Sequence, residues 1–424
     1  MKLVLAAVLL CSSSAVADDP FPPLQGDRWA AGGQFTVITQ AHPAFDAKYT
    51  GKNSLRPEAE QATSVTGTLF FAATPWPGGF IALVPEIGVG SGVSGVVGAG
   101  AFPNADIVRV PSLPPAPYIA RAFVQHTLTL SAASSAEEPL EEESRFAAVR
   151  SEPRAFVQLT LGKLGINDLF DLSEASNDPR HKFLNWALVN QGAWDYCADV
   201  RGYTWAAVAA LGTPFATLRA GACMMPTEPN GPELDTDLAH ARSEVAELTV
   251  PLPGFSVSLL GYLNHARAAR YDDPGFVRTP GALKKGLSLH VEGARGPLLW
   301  FARAGFNDGA TETFAYSEID RSLSLGATLA GASWGRADDL VGLAYESGGL
   351  SRAHADFLGG GGSGFLLGDG ALRYGPEQVF ELFYSLQVFR GVVVSLDGQL
   401  LLRPGFNADR GPVPLIATRL HFHL

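Results

Sequence analysis

From Glu377 to Phe389 the apolar side chains fall on every second position: Phe380, Leu382, Tyr384, Leu386 and Val388 share one parity, and Glu377, Glu381, Ser385 and Gln387 share the other. A period of two marks an extended strand with two unlike faces. After Arg390-Gly391 the alternation resumes, with Val392, Val394, Leu396, Leu400 and Leu402 set against Ser395, Asp397, Gln399 and Arg403, which predicts a hairpin closed by a two-residue turn. Phe255, Val257, Leu259 and Leu263 alternate with Ser256, Ser258, Tyr262 and Asn264 in the same way, as do Leu287, Leu289 and Val291 with Ser288, His290 and Glu292. One face suits lipid and the other suits water. A soluble sandwich shows the same period, so the connections must decide between them.

The pattern predicts sixteen strands: 28–41, 61–73, 79–88, 120–130, 154–162, 200–210, 214–223, 243–251, 254–264, 285–294, 297–307, 318–329, 338–346, 375–389, 391–403 and 412–424. Tight connections at 211–213, 252–253, 295–296 and 389–390 alternate with long ones at 42–60, 89–119, 163–199, 224–242, 265–284 and 347–374. An even strand count, long loops at one end and both termini at the other describe an all-β transmembrane antiparallel β-barrel with short periplasmic turns and long extracellular loops. The exception is 131–153, a solvated excursion carrying Glu137, Glu138, Glu141, Glu142 and Glu143. In the last strand Ile416, Thr418, Leu420, Phe422 and Leu424 oppose Ala417, Arg419, His421 and His423. Such an edge avoids aggregation by closing against the strand near Ala30 to Ala41.

Composition fits this reading. Of 424 residues 46% are hydrophobic, yet only 17% are charged, against roughly 25% in ordinary soluble proteins. No internal segment makes a convincing membrane helix: Phe80 to Phe102 holds Pro85, Glu86 and many glycines, and Trp205 to Cys223 is broken by Gly212-Thr213-Pro214. The net charge of -11 and the lack of a basic stripe exclude nucleic acid as a partner. If the acidic excess reaches the lumen, cations are preferred in conductance. Met1-Lys2, the apolar run Leu3 to Leu10 and Ala15-Val16-Ala17 predict a signal peptide over residues 1–17, leaving 18–424 as a single outer-membrane β-barrel domain. Cys11 belongs to that signal. Cys197 and Cys223 then lie in an oxidising compartment, where they form either a disulfide or two half-buried thiols; the predicted hairpin does not set them directly opposite.

Most apparent motifs lack their context. Gly90, Gly92 and Gly95 satisfy a dinucleotide string, but no periodic helix follows. Gly331-Ala332-Ser333-Trp334-Gly335 matches a nucleophile elbow but leads into another strand, so a hydrolase reading rests on Ser333 alone. His421 and His423 share a strand face without paired metal spacing, and neither a metal nor a cofactor is implied. Lys182 to Trp205 is more distinctive. It combines Trp186, Trp194 and Trp205 with Asp195, Asp199 and Arg201. Aromatic faces stack on sugar rings while carboxylates and guanidinium groups bond hydroxyls, so the stretch suits a sugar constriction; a long loop building its own small core needs the same residues.

Further segments carry a family resemblance: His42-Pro43-Ala44-Phe45, Tyr49 to Leu55, Pro85-Glu86, Phe102-Pro103-Asn104, Arg121-Ala122-Phe123, Phe183 to Leu188, Gly192 to Tyr196 and Arg201 to Trp205. Gly349-Leu350-Ser351, Gly368-Asp369-Gly370, Tyr374 to Gln378 and Asn407 to Val413 continue it. With these the chain resembles the carbohydrate-selective porins of the OprB type. The resemblance implies a bacterial outer-membrane barrel, often a homotrimer, through which glucose and similar mono- and oligosaccharides diffuse passively into the periplasm without catalysis. The departures are Cys197 in place of a proline, Asp106 in place of a glutamate and Leu424 in place of a terminal aromatic. Such pores are narrowed by arginines and acidic residues, and strand parity puts Glu86, Arg121, Arg219, Arg303 and Glu381 on the lumen face. The substrate-contacting set is therefore expected to be Glu86, Arg121, Trp186, Trp194, Asp195, Asp199, Arg201, Arg303 and Glu381. A general or differently selective porin is the alternative, and a soluble sugar-binding sandwich is the reading outside this class.

Overall fold

The computed structural model describes residues 24–26, 28–107, 115–131 and 153–423. The signal segment, most of the acidic excursion and Leu424 lie outside the described residues. A short strand β1 (Leu24–Gly26) pairs with the start of β2 (Trp29–His42). There follow β3 (Glu60–Ala73), β4 (Gly79–Gly90), β5 (Tyr118–Thr129), β6 (Phe156–Leu164), β7 (Thr204–Thr213), β8 (Ala216–Met224) and β9 (Arg242–Leu252). The second half holds β10 (Phe255–Ala268), β11 (Thr279–Arg295), β12 (Leu298–Asn307), β13 (Arg321–Ala330) and β14 (Leu340–Gly349). It ends with β15 (Glu377–Phe389), β16 (Val392–Leu402) and β17 (Val413–His423).

Each strand from β2 to β17 pairs antiparallel with its sequence neighbours, and β17 closes on β2 from Ile416↔Ala41 to His423↔Gln34. The result is a closed barrel of sixteen strands. Closure matters because an unpaired backbone group in lipid costs several kcal/mol. All sixteen predicted strands are present, with ends displaced by a few residues. Tight turns sit at one end, where Gly254 and Gly391 adopt φ of +86° and +83°. A side chain resists such angles, which is why two-residue hairpins take glycine there. Pro85 lies inside β4 at a shift of register, the position where a missing N–H does least harm.

The alternation sorts the side chains as read. Outward-pointing Leu69, Leu128, Leu325, Leu343, Leu382, Leu396 and Ile416 are 49–62% exposed, whereas inward-pointing Gln40, Thr66, Gln125, Ser324, Asp397 and Arg419 are buried. Trp29, Trp76, Phe215, Phe255, Trp334 and Phe389 stand exposed near the tight-turn end, as an interfacial aromatic girdle requires. No helix among the described residues is long and apolar enough to cross a membrane. Gly331–Trp334 forms a 3-10 turn between β13 and β14 rather than a strand-to-helix elbow.

The largest hydrophobic cluster is built by loops that fold into the barrel mouth. Phe102, Phe170, Trp186, Trp194, Tyr316, Leu366 and Phe406 are its principal members. The loop of residues 165–203, which contains the short helix α1 (Trp186–Val189), contributes most, and Cys197 bonds to Cys223 of β8 in a disulfide with a Cα–Cα distance of 6.4 Å. The partners are not cross-strand neighbours: Cys223 pairs with Ala206 of β7 and Ser243 of β9, and Cys197 reaches it from the loop. A second helix, α2 (Arg352–Gly359), packs in the loop between β14 and β15.

Candidate functional site

Inward charges on the barrel wall do two kinds of work, and the structure separates them. One set fastens the 165–203 loop. Arg303 of β12 is 1% exposed and donates to Asp171 Oδ1 at 2.9 Å, Ser176 Oγ at 2.8 Å and the Leu188 carbonyl at 3.0 Å. Glu381 of β15 accepts from the backbone N–H groups of Leu184 and Asn185, and Arg419 of β17 donates to the Lys182 carbonyl at 3.0 Å. These groups replace the water that an inward charge otherwise needs. Arg303 and Glu381 thus point inward as their parity requires, but the loop covers them.

The aromatic stretch packs as the core of its own loop, the second of its two readings. Trp186 stacks on Tyr316 at 4.8 Å and on Tyr196 at 6.2 Å, while Trp194 meets Tyr196 at 5.3 Å and Phe170 edge-on at 6.4 Å. Trp186 and Trp194 are 9% and 2% exposed, so their faces are spent on one another and not on a solute. Asp195 accepts from the N–H groups of Phe314 and Ala315, both at 2.9 Å, and pairs with Lys284 at 3.1 Å. It ties two loops together. These residues form the core of a cap, because a loop this long must bury apolar area to hold one shape.

The second set forms a partly exposed charged ring along β4 to β7, to which the same loop contributes Asp168 and Arg180. Glu86 accepts from Tyr118 at 2.5 Å, Tyr203 at 3.0 Å and Thr68 at 2.8 Å, and pairs with Arg180 at 3.3 Å. Arg180 also donates to Asp106 at 2.6 Å, which Thr66 steadies at 2.7 Å. Arg121 forms a two-pronged pair with Asp168, both contacts at 2.6 Å, and its guanidinium lies 5.3 Å from the Tyr203 ring centre. Arg201 lies 4.6 Å from the Tyr118 ring centre, and Lys163 reaches Asp199 at 3.8 Å. The side chains of Arg121, Asp168 and Lys163 keep 20–25% exposure among otherwise covered neighbours. Burial pushes the carboxyls of Asp106 and Asp199 up from the ordinary range, with Arg180 opposing it at the first; at the second the backbone N–H of Tyr203 and then Lys163 do so.

Four expected residues, Glu86, Arg121, Asp199 and Arg201, therefore meet in one place. Trp186, Trp194, Asp195, Arg303 and Glu381 do not join them. Tyr118, Lys163, Asp168 and Arg180 belong to the ring and were not singled out from the sequence; Arg180 and Asp168 arrive on loops, which carry no periodic signal. Four cations (Arg121, Lys163, Arg180 and Arg201) face four carboxylates (Glu86, Asp106, Asp168 and Asp199), so the ring is formally neutral. The chain's acidic excess is not spent there. Rigid tyrosines and paired ions on all sides suit an uncharged polyol, which offers hydroxyls to both signs and a C–H face to the rings.

A closed sixteen-stranded barrel with an apolar outer wall, an infolded loop and a partly exposed charged ring has the architecture of outer-membrane porin structures. A family model, that of the carbohydrate-selective porin, OprB family, matches residues 287–424 of this chain. The solved OprB of Pseudomonas putida is similar in fold, with 14% identity, 94% of each chain covered and a TM-score of 0.71. DcaP, an outer membrane channel of Acinetobacter baumannii, is 10% identical, with 93% of this chain and 97% of that chain covered and a TM-score of 0.55. OmpF of Salmonella typhi is 8% identical, with 95% and 100% covered and a TM-score of 0.51. No curated protein sequence matches the chain.

Proposed function

We propose that the barrel lets sugars of the glucose class and their short oligomers diffuse passively across the outer membrane, through the ring around Tyr203, and that it catalyses nothing. The formally neutral ring of paired ions and tyrosines carries this reading. A channel needs sites that attract a solute weakly enough to release it, and a stacking face flanked by hydrogen-bonding pairs meets that condition. Liposomes holding the folded protein should swell faster in sugars than in amino acids of equal size. Equal swelling rates would leave a general porin, and conductance unaffected by added sugar would point the same way.

Two further points belong to the reading. The outer wall of β7 to β9 is smoothed by Ala207, Ala209, Ala220, Ala222 and Ala246, and forms part of an outward apolar concavity of about 1090 Å³. Small residues let membrane-embedded surfaces approach closely, so this wall supports association of three barrels. Ala220→Trp should convert unheated trimer into monomer on a native gel. The first 17 residues act as a cleaved export signal, and mass spectrometry of the membrane-extracted protein should find a mature chain beginning at Asp18.

A further inference from the structure

Three histidines that the channel does not use meet near the inner, tight-turn end of the lumen. His421 and His423 sit at the end of β17, and His181 is carried down to them by the 165–203 loop, 240 residues away in sequence. One ring nitrogen from each lies within 4.8 Å of the other two. The ring centres of His181 and His421 are 4.3 Å apart, and those of His421 and His423 are 5.5 Å apart.

The surroundings orient two of these rings as metal ligands are oriented. Asp178 Oδ2 contacts His181 Nδ1 at 2.5 Å, and Thr36 Oγ1 contacts His421 Nδ1 at 2.8 Å. Each partner engages the Nδ1 nitrogen of its ring. A carboxylate or hydroxyl behind the imidazole is the usual support of a ligating histidine, because it fixes the tautomer and raises the basicity of the other nitrogen. The His421 Nε2 is buried and has no hydrogen-bond partner among the described residues. Ordinary packing of two histidines gives no reason for a third to converge, nor for a buried nitrogen to be left without a partner.

We propose that His181, His421 and His423 bind a divalent transition metal ion of the zinc, nickel or copper type, with water completing the coordination. Imidazole nitrogens select these ions over calcium or magnesium, which require oxygen ligands. Metal–nitrogen bonds of about 2.0–2.1 Å require the side chains to close by roughly an ångström each. Because one ligand comes from the loop and two from the wall, the ion clamps the loop at its inner end and narrows the exit.

The test uses the tag-free, full-length folded protein in detergent, titrated calorimetrically with Zn²⁺. About one ion should bind per barrel. His181→Ala and His423→Ala should each weaken binding by roughly 100-fold, Asp178→Asn by roughly 10-fold, and His240→Ala, at an exposed loop position, should change nothing. Added Co²⁺ should give visible absorption bands of nitrogen ligation that are lost in His181→Ala. Mobility of boiled and unboiled samples confirms that each variant folds; should His421→Ala fail to fold, the loop variant carries the test. Absence of stoichiometric uptake by the wild type, or His181→Ala and His423→Ala binding as the wild type does, would overturn the proposal.

Discussion

Arg121→Gln removes one of four cations from a ring that holds four carboxylates, leaving one net negative charge there. The guanidinium lies 5.3 Å from the centre of the Tyr203 ring, so an ion passing that face travels about 5 Å from the lost charge. In water that distance corresponds to about 0.8 kcal/mol, and screening with a Debye length of about 8 Å roughly halves it. Cations gain and anions lose about 0.4 kcal/mol each, which moves the permeability ratio about fourfold toward cations. The measurement is the reversal potential of single barrels in a planar bilayer under a KCl gradient. Asp168→Asn should shift it toward anions by a similar factor, and Arg121→Lys, which keeps the charge, should leave it near the wild-type value. An unchanged reversal potential in Arg121→Gln, or an equal shift in Arg121→Lys, would refute the assignment of this ring as the constriction.

Tyr203→Phe removes a hydroxyl that donates to Glu86 but keeps the ring face; sugar-dependent block of conductance should persist, whereas Tyr203→Ala should abolish it. Trp194→Ala should loosen the cap by about 3–5 kcal/mol, seen as faster proteolysis of the 165–203 loop, with a wider and less selective pore in conductance. Cys197→Ser releases the same loop from β8 and should lower the temperature at which the folded band is lost on unheated gels, a disulfide being worth about 2–4 kcal/mol. Burial alone would pull His354 of α2 down, but contact with Asp320 at 2.9 Å and with Glu318 raises its pKa to about 9. Because that value lies above the ordinary pKa of about 6.5, the clasp is at full strength below the ordinary value and is lost as pH rises through about 9. Hydrogen-exchange protection of the loop between β14 and β15, taken relative to the intrinsic rate at each pH, should therefore fall over that interval in the wild type, and stay flat in His354→Gln.

The barrel was legible because its rule is local. A strand between lipid and water must alternate, and the tight turns between Leu252 and Phe255 or Phe389 and Val392 need only the residues beside them. Even closure followed, since the parity of Ile416 to His423 needed a partner and β2 was the strand left with a free edge. Parity also aimed Glu86, Arg121, Arg303 and Glu381 inward, but inward is not the same as wet. Inside a barrel a charged side chain ends either against water or against a loop, and alternation is identical in the two cases. Arg121 and Arg303 both meet residues 165–203, Arg121 through Asp168 and Arg303 through Asp171, but the first side chain stays 25% exposed and the second is covered; the path of the loop decides this, and that path is set by contacts such as Glu381 with Leu184 and Arg419 with Lys182, about 200 residues apart in sequence or more. The aromatic stretch kept two readings for the same reason. Trp186 and Trp194 have the composition of a sugar platform and of a loop core alike, and only the arrival of Tyr316 from another loop decides that their faces are already taken. His181 gave no signal beside His421 until the loop carried it across the lumen. Strand parity thus identifies the side chains that face the lumen, and the loops choose among them. A substitution in the 165–203 loop should accordingly alter solute selectivity without disturbing the barrel, whereas one on an outward strand position such as Leu343 should do the reverse.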